Sequence, residues 1–221
     1  MLFLYYWLNG ATAKQLGTYT GWGTNKVRLW VKYVHELVCS VVLSEQGMIG
    51  GDGVVVEIDE SKFGKRKYHK GHRVEGVWVF GGVELTAERK MFAVTVDQRD
   101  SDTLLPLILK FIKPGSIIRS DCWPVYFSIE NLEMDLGDGL SLPLYEWEGV
   151  NHSRHFKNPE TGVHTNTIEG TWHGVKRMVP IRKRTKKQVQ GCLFEFIWRR
   201  RNEGNLWNGL MAALRDVRYE Y

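Results

Sequence analysis

Three carboxylates have the types and intervals that phosphoryl-transfer chemistry needs: Asp59, Asp121 sixty-two residues later, and Glu169 forty-eight further on. Hard oxygen ligands suit Mg²⁺ or Mn²⁺, and two such ions ~4 Å apart stabilise both the attacking and the leaving oxygen of a phosphodiester displacement. Crowded carboxylates repel one another, a cost that bound metal removes. Asn166 stands one helical turn before Glu169, and its amide oxygen is an alternative third metal ligand. Lys176 follows Glu169 by seven residues on the same helical face, where a cation can hold the phosphate beside the scissile bond. Singly, each acid reads more readily as a turn former or an exposed helical residue, and Lys176 as a solvated lysine. Their weight lies in occurring together.

The elements that must carry these residues can be read from hydrophobic periodicity. Val54 to Asp59, Gly76 to Val83 and Met91 to Val96 read as strands of an antiparallel meander, the last two joined by the polar turn Ala87-Glu88-Arg89-Lys90. Ser101 or Asp102 can cap a helix with apolar residues at Leu104, Leu105, Ile108, Leu109 and Ile112, stopped by Pro114-Gly115. A fourth strand, Ser116 to Asp121, precedes a helical stretch from Trp123 to Leu132. Glu133 to Leu142 reads as a surface insertion, Tyr145 to Asn151 as a fifth strand, and helical periodicity dominates from Asn166. This is the order of an α/β, ribonuclease H-like fold: a mixed five-stranded sheet flanked by helices, with the first and fourth strands side by side. Asp59 and Asp121, each ending its strand, then project at one sheet edge.

Ahead of this domain, apolar Met1 to Leu8 lacks the basic flank and small-residue cleavage site of a signal peptide and reads as a buried segment. Residues 11–34 read as helix, glycine-containing turn, helix, with apolar Val27, Trp30, Val31 and Val34. A helix-turn-helix and a plain helical hairpin both fit. The boundaries expected are a helical segment over 1–45, a catalytic domain over 50–205 and a C-terminal helix over 206–221, with the Gly-rich joint Gly47 to Gly53 between the first two.

Charge is segregated. The chain carries +5, yet residues 170–201 hold ten basic residues against Glu195 alone. A polyanion, nucleic acid first, is the expected partner, against the alternative of a solvated basic face. Candidate phosphate contacts are Lys65, Arg66 and Lys67 (with Lys62 and Lys70), then Arg177, Arg182, Lys183, Arg184, Lys186 and Lys187. Lys26 and Arg28, with Lys32, are candidate contacts of the N-terminal segment. Trp172 and Trp198 read as core or as base-stacking residues; His152, His155 and His164 match no tight zinc spacing. Cys39, Cys122 and Cys192 are scattered singly, against a disulfide scaffold or zinc ribbon. No apolar run reaches the ~18 residues of a membrane span.

Five blocks resemble the ISXO2-like transposase domain, the DDE-type domain of the IS1595/IS1016 insertion sequences and of the Merlin elements. They are Val56 to Lys67, Trp78 to Gly82, Ser120 to Trp123, Val150 to Ser153, and His164 to Trp172, in family order. The resemblance covers roughly residues 50–202. It implies a transposase that cuts double-stranded DNA at element ends and joins them to a target, using two Mg²⁺ or Mn²⁺ ions. Asp59, Asp121 and Glu169 correspond to its acidic triad and Lys176 to its accompanying base, with Asn166 still in play at the third position. It also implies a homo-oligomer that bridges two ends, and a nuclear protein if eukaryotic or a cytoplasmic, nucleoid one otherwise. Relatives often carry an N-terminal zinc ribbon, for which this chain has no cysteine set. Its abrupt start fits a truncated chain or a host gene derived from a decayed element. The rival readings are a transposase-derived DNA binder without cleavage and a nuclease on the same fold.

Overall fold

The computed structural model describes residues 1–64, 76–137, 140–150 and 163–217. Along the chain the elements run α1 (Leu2–Leu8), α2 (Ala13–Thr20), α3 (Thr24–Ser44), β1 (Val55–Phe63), β2 (Val77–Glu84), β3 (Met91–Val96) and α4 (Ser101–Phe111). Then come β4 (Ile117–Asp121), a 3-10 turn (Pro124–Asn131), β5 (Glu133–Gly137), β6 (Leu140–Pro143), β7 (Glu146–Val150) and α5 (Asn166–Met178). A short 3-10 turn (Ile181–Lys183), α6 (Lys186–Arg201) and α7 (Leu206–Arg215) complete it. None of these helices is long and apolar enough to cross a membrane.

By packing, two compact units emerge: residues 1–46 with 194–221, and residues 47–193. The sequence boundaries stood at 45/50 and 205/206, whereas the second break falls inside α6. The first unit is helical. Thr12 caps α2 in a reciprocal box with Gln15, and Gly21, at φ +69°, ends it in the left-handed region that glycine adopts without strain. Val27, Val34, Val38 and Val42 form the buried stripe of α3, and Phe3, Leu4, Trp7 and Leu8 that of α1, as the apolar opening led us to expect.

The second unit is built on a mixed five-stranded sheet in the order β3-β2-β1-β4-β7. β1–β2 and β2–β3 pair antiparallel, and β1–β4 and β4–β7 parallel. The β-branched runs make these strands, since branched side chains pack well on a pleated, two-sided surface. On one face Val56, Ile58, Phe80, Ile118 and Phe92 pack against Leu104 and Ile108 of α4. Each such fully buried side chain contributes about 1.5–3 kcal/mol. The other face of β1 carries Glu57, Asp59 and Phe63 toward α5.

Local details differ from the sequence reading. Asp100, not Ser101 or Asp102, caps α4, its Oδ1 accepting the Thr103 N–H at 2.9 Å. Pro124 at the start of the 124–131 stretch sits in a tighter 3-10 turn instead of an α-helix. The 133–142 stretch is a separate antiparallel hairpin, β5–β6. Its Leu140 and Leu142 are exposed, so no apolar face marked it as strand.

Candidate active site

β1 runs four residues past Asp59, so this acid sits mid-strand and does not end it. Pairing explains its special place. β4 pairs with β1 only over residues 55–57 with 117–119, while β2 continues alongside β1 to Phe63. The offset of 62 continued two residues brings Asp59 abreast of Asp121, the last residue of β4. Where β4 leaves the ladder the two carboxylates share a notch in the sheet.

Their electrostatics record that crowding. Burial, with the charges of Glu60 and Asp121 beside it, pushes the Asp59 carboxyl up to about 7. Burial likewise raises Glu60, and the Asp121 charge adds to the effect. The Tyr126 hydroxyl donates to Glu60 Oε1, and Arg99 approaches the other oxygen at 4.0 Å. Asp121 Oδ1 accepts the Trp123 backbone N–H at 3.2 Å.

α5 lies over this notch, held at two points. Glu57 is wholly buried, and its Oε2 accepts the Ile168 N–H at 2.8 Å, where the first turn of a helix presents unpaired donors. His164 Nδ1 stands 3.6 Å from the same carboxylate. Burial raises Glu57 against these stabilising neighbours. One turn on, the Trp172 indole N–H donates to Asp59 Oδ2 at 3.0 Å, and its ring meets Phe63 edge-on at 6.2 Å between centroids. Gly81, opposite Asp59 on β2, makes room: a Cβ there would stand 2.7 Å from Trp172 Cη2.

The same helix carries Asn166, exposed, Glu169, half-buried, and Lys176, half-buried with its Nζ 5.5 Å from the Phe63 ring. Glu169 precedes Trp172 by three residues and Lys176 follows it by four, so all three share the face turned to Asp59. Burial and the Arg184 charge lower the Lys176 ammonium, partly offset by Asp59. Among the described residues no three His, Cys, Asp or Glu side chains converge as a metal cage. Asp59 and Asp121 are brought together; Glu169 and Asn166 are placed on the overlying helix. The donor set nevertheless fits a hard cation, since two mutually repelling carboxylates are what such an ion relieves.

The basic residues divide. Arg177, Arg182, Lys186 and Lys187 are exposed, and Lys183 is half-buried. Arg184 is committed within the fold: its guanidinium donates to the carbonyls of Val179, at 3.0 Å, and Lys176, capping the end of α5. Lys186 pairs with Asp97 at 2.7 Å. In the helical unit Lys26 and Arg28 are exposed on α3, Lys26 4.3 Å over the Trp22 ring. Trp172 and Trp198 are buried, 4% and 1% exposed. Lys65, Arg66, Lys67, Lys70, His152 and His155 lie outside the described residues.

Sequence reasoning missed Glu57, Glu60 and Tyr126. The signal for Glu57 was present: an acid two residues before Asp59 inside an apolar strand lies on the same face. Tyr126 gave none, being one aromatic among several.

Residues 45–201 match the family model of the ISXO2-like transposase domain. A stretch of 88 residues is 32% identical to a protein of Haemophilus influenzae described as an uncharacterized transposase-like protein. That match takes in 40% of this chain and 61% of the relative, so the chain spans about three fifths of the relative's length.

Proposed function

Because the chain belongs to the ISXO2-like transposase domain family, we propose that it is a DDE-type transposase that cuts DNA at element ends and transfers the freed strand into target DNA. The observation that carries this reading is the closeness of the Asp59 and Asp121 carboxylates just past the point where β4 leaves β1, with Glu169 and Lys176 on α5. The strand order β3-β2-β1-β4-β7, antiparallel on one side of β1 and parallel on the other, supports a ribonuclease H-like fold.

Asp59, Asp121 and Glu169, with Asn166 as alternative to the last, are the residues that would hold Mg²⁺ or Mn²⁺. When bound, such ions neutralise charge on the scissile phosphate and favour the deprotonated nucleophile. The chain's own residues do the rest. Trp172 orients Asp59 through its indole N–H and excludes water from one side of it. Lys176 offers a cation to the neighbouring phosphate, and Glu57 holds the helix in place. Exposed Arg177, Arg182 and Lys187 extend a phosphate-binding surface from α5 into α6. In the helical unit, α2, the turn at residues 21–23 and α3 have helix-turn-helix proportions, and exposed Lys26 and Arg28 near the start of α3 are its DNA contacts. A homo-oligomer bridging two element ends follows from the same reading.

The test is nicking and joining of supercoiled plasmid in Mn²⁺ by the wild type and by Asp121→Asn, with EDTA as control. Metal-dependent nicking that the variant loses, with joined products, supports the proposal. Nicking without joining means a nuclease. DNA retention without any nicking means a binding protein.

A further inference from the structure

Beside the acidic notch, on the face of the sheet opposite α5, stands a group that the site above does not use. The guanidinium of Arg99 stacks 3.8 Å from the Trp78 ring centroid and 5.1 Å from that of Trp123. Lys62, the cross-strand partner of Trp78, adds its Nζ at 5.1 Å from the same ring. Arg99 is exposed and both indoles are half-buried, so planar surface of this cluster faces solvent. The cluster is tied to the acids twice: Arg99 reaches Glu60 at 4.0 Å, and the Trp123 backbone N–H donates to Asp121 Oδ1 at 3.2 Å.

Resting on the DNA-processing reading, we propose that Arg99, Trp78 and Trp123 form a stacking platform for an unpaired base of the DNA strand that passes the acidic notch. A guanidinium plane backed by indole is a surface on which bases stack. The Arg99 guanidinium, 3.8 Å from the Trp78 ring centroid, has Glu60 at 4.0 Å to meet part of its charge, and a base π-face can stack on that plane where a phosphate cannot. Placed here, the base would fix the strand relative to Asp121 without any contact to its Watson–Crick edge.

The test compares binding of two probes by the full chain in Ca²⁺: a blunt duplex, and the same duplex with three unpaired nucleotides on one strand. The wild type is expected to prefer the flanked probe. Arg99→Ala and Trp123→Ala should each weaken flanked binding by about 5- to 150-fold, the range of one base stack, and leave blunt binding within about twofold. Trp123→Phe, which keeps an aromatic ring, should retain most of the preference and guards against misfolding. Arg99→Lys keeps the charge but not the plane, and should lose the preference while leaving the salt dependence unchanged. No preference by the wild type, or equal losses on both probes, overturns the platform while the DNA reading stands. Binding of neither probe by the wild type overturns both.

Discussion

The Trp172 indole N–H and the Asp59 carboxylate, 113 residues apart in sequence, meet at 3.0 Å. This hydrogen bond is one of two that tie the sheet carrying Asp59 and Asp121 to the helix carrying Glu169. Gly81 is what lets the indole reach: a Cβ there would stand 2.7 Å from Trp172 Cη2 and 2.8 Å from the Phe92 carbonyl oxygen, so both the indole and the β3 backbone must shift. Gly81→Ala should cost about 1–3 kcal/mol in urea unfolding and lower nicking by more than its loss of folded protein explains. Unchanged stability would mean that the sheet yields at this point.

The crowding of Asp59 has a pH signature. Its folded pKa stands at about 7 against an ordinary 3.8, so between those values the folded chain binds the proton that the unfolded chain has released. Metal-free stability should then fall as pH rises toward 7 and level off above it. Asp59→Asn should reduce that slope and stabilise the metal-free chain above pH 7, by no more than about 4 kcal/mol. Mg²⁺ should raise the wild-type melting temperature most above pH 7, and the variant's little. Melting curves across pH 5 to about 9, with EDTA or Mg²⁺, decide it; parallel curves for the two proteins would count against a shared acid notch.

Glu57 is a second point of attachment. Glu57→Ala leaves the buried Ile168 N–H without its acceptor, a loss of about 1–3 kcal/mol, whereas Glu57→Gln keeps an oxygen for it and should cost less. Chemical denaturation ranks the two. Equal losses for the two, which both remove the charge, would show that the carboxylate charge and not the acceptor oxygen anchors α5.

Arg184 and its neighbours separate fold from binding. Each exposed phosphate contact removed, as in Arg182→Ala or Lys187→Ala, should lower the slope of log K against log salt by ~0.9. Arg184→Ala should leave that slope alone and destabilise the 47–193 unit, since its donors already serve the α5 carbonyls. A slope change for Arg184 alone would reverse the assignment.

The sheet was legible because its strands are β-branched runs between turn residues; strand order put β1 beside β4 and so Asp59 near Asp121, but carried no sign that β1 runs on past Asp59. The short-range signals failed where context decides. Pro124 opens a tight 3-10 turn that apolar spacing cannot distinguish from helix. The hairpin at 133–143 has exposed apolar residues and hence no alternation. Arg184 looked like any member of a basic run, and only the chain's return onto the end of α5 gives it carbonyls to cap. Glu57 shows the opposite lesson: its burial was implied by its neighbours, but an acid was not expected to serve as a helix anchor.

The 62-residue register of β1 against β4 carries a last consequence. Side chains alternate faces along a strand, so a slip of one residue would turn Asp121 to the far side of the sheet. The paired acids exist only when the ladder is complete, and a nascent or partly melted chain has no weakened version of them. On the proposed DNA-cutting reading this is a safety interlock: a misassembled copy lacks the acid notch.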